Sequence, residues 1–467
     1  MLTPGRFDHR IGATGSVALF GAFVFFCTLT YWQVFRDDLE RDDRNPRLLS
    51  EFVNPDRGRI LDREGNVLAS SSADGSRQYS DASVAHVLGY INGRYGSQGA
   101  ELAFNDILSG TAPDSLLSAF EKEFRRGGAQ GHDVRLTIDP ATQAAAARAL
   151  GARQGAVVAL DPRTGEVLAM VSVPTYDPGA LDENGEALLA DATSPLLNRA
   201  TQGKYPPGST FKTVTAASAL ENRVISADTR VTCPGEIVID GFPIACTNTA
   251  GGVGTYPFKE AFWRSVNAIF AEVGVNVGWS RLEDTAARFG FGSALPFTLD
   301  TAAAELTGAG SERTKTLLAS TAFGQGELLA TPLQMAVVAA VIANGGVLAG
   351  PHLGLAELDG DRVVRKLEPP GSRRVISPEV AATLRDFMVA VVENRQAAGV
   401  DIPGVRVAGK TGTAETGRAG VSHAWFIAFA PAENPTVAVA VVVEGGGRGG
   451  ETASPIAGQV LRAALAR

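Results

Sequence analysis

The run from Ile11 to Phe35, "IGATGSVALFGAFVFFCTLTYWQVF", carries no charged side chain. At about 1.5 Å per residue, a helix of that length crosses the roughly 30 Å of hydrocarbon in a bilayer. Backbone polar groups in hydrocarbon must pair within their own segment, so such a run is restricted to a helix and fixes where the rest of the chain lies. Arg6 and Arg10 precede it, Tyr31 and Trp32 stand at its far end, and no small-residue cleavage site with suitable flanks follows. These features predict a retained signal anchor: a cytoplasmic tail at 1–10, a membrane helix at 11–35 and the bulk of the chain outside. The charged run Arg36 to Arg47 then reads as a solvated stalk.

A chain of 467 residues with 45% hydrophobic content can build one large core and a smaller satellite. Its net charge of -8, with no basic stripe, argues against nucleic acid as a partner. Of the 3 cysteines, Cys27 lies in the uncharged run. Cys233 and Cys246 flank "PGEIVIDGFPIA", whose turn signals suggest a hairpin. Outside the cytoplasm a disulfide is permitted there, two free thiols fit equally, and the spacing is no metal pattern.

Past the stalk, "NPDRGRILDREGNVLASS" alternates apolar and polar residues around a turn at Arg63 to Asn66, a hairpin signature. Mixed polar text follows to about Gly131, with a short helix expected at Ala100 to Leu108. The stretch 36–130 is therefore a stalk and small pedestal, and a large domain occupies 131–467. Helical patterns recur there at Phe211 to Leu220, Lys259 to Val275, Ser280 to Arg288, Pro332 to Ala343 and Pro378 to Asn394. "VRVAGKTGTAE", "HAWFIAFAP" and "TVAVAVVVEG" read as consecutive late strands, and the chain ends in a helix. Central helices with an antiparallel sheet completed late give an α+β architecture.

Three short clusters carry chemistry. In "YPPGSTFK", Ser209 and Lys212 are three apart at a helix start, on one face and near unpaired N–H groups that could hold an oxyanion. A serine needs a base, and a buried lysine beside another cation can be one. "RSVNAIF" places Ser265 and Asn267 in an apolar stretch, and "AGKTGTA" places Lys410, Thr411, Gly412 and Thr413 on a strand. S-x-x-K, S-x-N and K-T-G in this order are the signature set of penicillin-binding proteins and serine β-lactamases.

On these motifs the chain resembles the class B penicillin-binding proteins, peptidoglycan D,D-transpeptidases, and by its short pedestal the actinobacterial-type penicillin-binding protein A subgroup. "RGRILDREGNVLA" resembles the family's pedestal start and "GAVVALDPRTGEVLAMVSVPTYDP" the opening of its transpeptidase domain. The resemblance implies a five-stranded antiparallel sheet with a helical subdomain and a pedestal of the dimerisation type. It implies Ser209 as nucleophile on the penultimate D-alanine of a stem peptide, Lys212 as base, Ser265 as proton relay and Asn267 as holder of the peptide amide. Lys410, Thr411, Gly412 and Thr413 would bind the terminal carboxylate, and the N–H groups of Ser209 and Thr413 would form the oxyanion hole. No metal or cofactor is expected. Expected partners are stem peptides, β-lactams, the cell membrane, a membrane glycan polymerase and other division or elongation proteins. A D,D-carboxypeptidase or a non-hydrolysing β-lactam sensor would share all three motifs.

Two rivals fail on context. "GVRVAGKT" satisfies a phosphate-binding loop pattern, but that loop should follow a strand and open a helix, whereas this segment is itself an alternating strand followed by turn-rich text. A Ser-His-Asp triad lacks a nucleophile elbow, and among the histidines His423, in "SHAWFIAF", reads as a structural residue on the sheet beside the cleft.

Overall fold

The structure is a computed structural model that describes residues 19–26, 28, 31, 56–110, 130–246 and 253–466. Most of the expected membrane run and all of the charged stalk lie outside these residues. No helix among the described residues is long and apolar enough to cross a membrane.

The centre is a five-stranded antiparallel sheet built from β1 (Gly155–Leu160), β2 (Val167–Val173), β3 (Ala408–Glu415), β4 (Ser422–Ala430) and β5 (Val437–Val443). Its strand order is β3-β4-β5-β1-β2. Every residue of β5, "VAVAVVV", is buried. An antiparallel strand usually alternates apolar and polar; this one does not because both faces of the sheet are covered. Val442, Ala440 and Ala438 join one core with Trp425 and Ile427, while Val443, Val441 and Val439 join another with Phe426 and Ala428.

Seven helices position these layers: α1 (Pro140–Leu150), α2 (Lys212–Glu221), α3 (Phe258–Arg264), α4 (Asn267–Val277), α5 (Pro332–Ala343), α6 (Pro378–Glu393) and α7 (Gly449–Leu465). Asp139, Thr331 and Ser377 cap α1, α5 and α6 with side-chain oxygens on backbone N–H groups, and each is followed by proline at the first helical position. Proline loses nothing there because that N–H has no partner in the helix. Helix α5 is buried on every face, apolar apart from Gln334, and lies in the first core; α7 and α1 cover the opposite face of the sheet.

A second sheet has the order Arg362–Lys366, Gly354–Asp359, Asp133–Leu136, Ile60–Leu61, Val67–Ser71, Arg77–Tyr79. The hairpin at Arg63 to Asn66 is present, with Ile60 opposite Ala69. Hydrogen bonding runs across residue 131, since Gly354–Asp359 pairs with Asp133–Leu136 and that strand pairs in parallel with Ile60–Leu61.

One helix expectation fails in an informative way. Lys259 to Val275 reads as one apolar helix, yet the chain breaks into α3 and α4 at Ser265, whose φ is 60°. The left-handed conformation is costly for a residue with a Cβ, and it is held because both ends of Ser265 are used by lysines described below. The helix expected at the end of the chain is present, running Gly449–Leu465 and continuing through Pro455.

Candidate active site

Ser209 does not sit on the α-helix itself. Gly208–Phe211 forms a 3-10 turn, and α2 begins at Lys212. Gly208 has a φ of +54°, and a Cβ there would stand 2.8 Å from the Thr413 carbonyl oxygen. Only glycine lets the turn come this close to β3. Gly412 makes the reciprocal approach: a Cβ on it would meet the Pro207 carbonyl oxygen at 2.9 Å. Gly324 closes the third side, accepting the Gly208 N–H through its carbonyl at 2.9 Å, and a Cβ there would overlap Gly208.

The three motifs meet through their polar atoms. Lys212 Nζ donates to the Ser265 carbonyl at 2.8 Å, to Ser265 Oγ at 3.2 Å and to Asn267 Oδ1 at 2.6 Å. Lys410 Nζ donates to the same Ser265 Oγ at 2.9 Å and to the Thr411 carbonyl at 3.0 Å. Ser265 thus bridges two amines. The break between α3 and α4 turns its carbonyl and hydroxyl towards Lys212 together, which a continuous helix could not do. Asn267, first residue of α4, is held from behind by its N–H on the Cys246 carbonyl at 2.8 Å.

Both lysines are fully buried. Ser209, Ser265 and Asn267 are only partly covered, and Thr413 is exposed. Among the described residues, no carboxylate forms an ion pair with either amine. Burial without a counter-charge favours the neutral amine. It holds Lys212 well below the usual lysine value, with the Lys410 charge pushing the same way. Burial pushes Lys410 down to about 7. Two rings offset part of this cost: Phe270 lies 5.4 Å from Lys212 Nζ and Phe262 lies 5.8 Å from Lys410 Nζ. β3 is an edge strand, so alternate backbone groups lie outside the sheet pairing.

The arrangement can therefore activate a hydroxyl with an uncharged amine and pass a proton along Lys212, Ser265 and Lys410. It can also hold an anion at the Lys410 end. Cys233 and Cys246 are joined, with Cα atoms 6.0 Å apart, and they bracket the hairpin Glu236–Ile239 with Phe242–Ala245. The phosphate-loop pattern at Gly404 to Thr411 leads into β3, and no helix follows it. Among the described residues no group of acidic, histidine or cysteine side chains could hold a metal.

Tyr205, Arg199 and Glu444, which the sequence did not single out, also lie here, beside His423, which it did. Tyr205 donates its hydroxyl to Glu444 Oε1 at 2.7 Å, and Arg199 Nε donates to the same oxygen at 2.8 Å. His423 is half-buried, accepts the Gly445 N–H on Nδ1 at 3.2 Å and stands edge-on to Tyr205. The signals for them were faint: Tyr205 adjoins Pro206, and Glu444 is the first charge after an all-apolar strand.

The chain matches known proteins in sequence and in fold. Residues 155–464 match the penicillin binding protein transpeptidase domain, and residues 57–134 match the penicillin binding protein A dimerisation domain. The chain is 39% identical to the peptidoglycan D,D-transpeptidase PbpA of Mycolicibacterium smegmatis, over 93% of this chain and 94% of that protein. The crystal structure of PBPA from Mycobacterium tuberculosis superposes with a TM-score of 0.80 at 36% identity, covering 88% of this chain and 99% of that one. A penicillin G acyl-enzyme complex of the same protein gives a TM-score of 0.78 at 35% identity, covering 88% and 99%.

Proposed function

The chain belongs to the penicillin-binding protein transpeptidase family, and on that premise we propose that it is a peptidoglycan D,D-transpeptidase using Ser209 as its nucleophile. The observation that carries the residue assignment is the bridge of Ser265 between two buried amines, Lys212 and Lys410.

In this reading the terminal carboxylate of a stem peptide binds Lys410, Thr411 and Thr413, and Asn267 holds the peptide amide. Carboxylate binding stabilises the proton on Lys410, and that charge keeps Lys212 neutral. Ser209 Oγ attacks the penultimate D-alanine carbonyl as its proton passes to Lys212. The N–H groups of Ser209 and Thr413 receive the developing oxyanion. The peptide C–N bond then breaks, and the proton reaches the departing D-alanine amine through Ser265. An amine from a second strand attacks the acyl-enzyme and regenerates Ser209, which gives ping-pong kinetics. A β-lactam presents its ring amide to the same serine; a relative has been captured as its penicillin G acyl-enzyme.

Around this site we assign the cytoplasmic tail to 1–10, the signal anchor to 11–35, the stalk and pedestal to 36–130 and the transpeptidase domain to 131–467, outside the membrane. The uncharged run supports the anchor. The Cys233–Cys246 bond supports an oxidising compartment. A pedestal beside the membrane suits a partnership with a glycan polymerase and with division or elongation proteins.

The test reconstitutes the full chain with lipid-linked substrate and a polymerase. Cross-linked dimer peptide is expected. Release of D-alanine with no dimer would overturn transpeptidation in favour of a carboxypeptidase.

A further inference from the structure

An oxyanion hole made from two distant stretches of chain needs something to fix their separation. Its two N–H groups must both lie about 2.7–3.1 Å from one oxygen, and a shift of an ångström costs orders of magnitude in rate. Ser209 belongs to the 3-10 turn and Thr413 to β3, and the Arg199, Tyr205 and Glu444 cluster spans the two.

On the nucleophile side, Tyr205 leads into Pro206 and Pro207, whose fixed φ angles make a short, stiff connection to Ser209. Its own backbone is pinned by paired hydrogen bonds with Ala330, at 3.0 and 2.9 Å. On the sheet side, Thr413 stands opposite Ala424, and Ala424 opposite Val443, one straight rung across β3, β4 and β5. Glu444 is the next residue after that rung, and its N–H is held by the Gln154 carbonyl at 2.8 Å. Glu444 Oε1 takes both the Tyr205 hydroxyl and Arg199 Nε. Arg199 Nη1 donates to the Ser194 carbonyl at 2.9 Å and Nη2 to the Thr193 carbonyl at 2.6 Å, so each guanidinium nitrogen has a partner, and the residue is buried. The Tyr205 ring lies edge-on to His423 and Trp425, the neighbours of Ala424 on β4, at 5.4 and 6.2 Å.

We propose that Arg199, Tyr205 and Glu444 form a clamp that ties the nucleophile turn to the Thr413 rung and so sets the spacing of the two oxyanion N–H groups. Tyr205 and Glu444 are then positioning residues for acylation. Neither needs to touch substrate. A charge-assisted bond from a buried phenol to a carboxylate already paired with arginine is shorter and stiffer than a neutral one, which suits this purpose. The inference rests on the oxyanion assignment of the preceding subsection.

The test uses the full chain in detergent and a fluorescent penicillin, with rapid kinetics separating non-covalent binding from the acylation rate constant. Tyr205→Phe removes one oxygen and keeps the ring packing; Glu444→Ala removes the acceptor; Glu444→Gln keeps an oxygen for the tyrosine. Tyr205→Phe and Glu444→Ala are expected to slow acylation about tenfold with non-covalent binding unchanged, the signature of an interaction made in the transition state. Glu444→Gln should recover most of the rate; thermal melts should place Tyr205→Phe near wild type, while the Glu444 variants, which leave buried Arg199 without its carboxylate, should melt lower, so their acylation is read per folded fraction. Unchanged acylation in Tyr205→Phe, an equal loss in binding and rate, or no rescue by Glu444→Gln would each overturn the clamp. Failure of the wild type to be acylated would instead overturn the transpeptidase reading beneath it.

Discussion

Two regions of this molecule bury cations, and they treat them in opposite ways. In the pedestal, Arg57 and Arg77 are almost fully buried, and both grip Glu101, itself buried, at 2.9 and 2.6 Å. In the active site, Lys212 and Lys410 are as deeply buried but meet only hydroxyl, amide and carbonyl oxygens. An arginine cannot give up its proton within the useful pH range, so burial obliges it to have a carboxylate. A lysine can, and leaving it without a carboxylate turns burial into basicity. The pedestal pairs its buried cations; the candidate active site leaves its lysines without a carboxylate, which favours their neutral, basic form.

The contrast can be broken first at the nucleophile. Ser209→Ala should lower labelling by a fluorescent penicillin about 10⁴-fold or more while leaving the melting temperature within a degree or two. Equal labelling of both proteins would remove Ser209 from its role. Next, Lys410→Met should cut acylation about 10²-fold and at the same time raise unfolding free energy by about 1 kcal/mol or more, because it exchanges a buried amine for an apolar chain. A methionine variant less stable than wild type would refute the claim that these lysines are held at a cost. Glu101→Ala should do the converse in the pedestal: about 3–5 kcal/mol of stability lost, with acylation by the folded fraction unchanged. Chemical denaturation beside a labelling assay reads both.

A further effect is in pH. Lys410 titrates at about 7 in the folded protein against an ordinary value of 10.5, so the unfolded chain binds more protons in between. Stability contributed by this group therefore rises with pH from about 7 upwards. The advantage of Lys410→Met over wild type should shrink between pH 7 and pH 9, as followed by melting temperature. A gap that stays constant would mean that Lys410 is not the group that titrates.

Sequence made the site legible because each motif is contiguous: Ser209 with Lys212, Ser265 with Asn267, Lys410 with Thr411 and Gly412. What it concealed was the geometry between them. The apolar spacing from Lys259 to Val275 suits one helix, and nothing local announces that Ser265 turns left-handed to serve two amines from other elements. Glu444 meets Arg199 across a separation of 245 residues, and propensity arguments end long before that distance. The architecture was legible as a class, since late apolar strands imply an antiparallel sheet. The complete burial of β5 was not, because a run of valine and alanine is silent about what covers its second face.

The sheet that crosses residue 131 has a consequence for how the protein is made. Gly354–Asp359 and Arg362–Lys366 complete the same sheet as Ile60–Leu61. A ribosome making this chain in order releases the first of these strands early and the last only after most of the larger domain has emerged. The pedestal cannot close its sheet while it waits, and its open edge needs protection from pairing with other chains. The two parts must mature together, and a truncation placed between residues 366 and 408 would yield a finished pedestal sheet without Lys410.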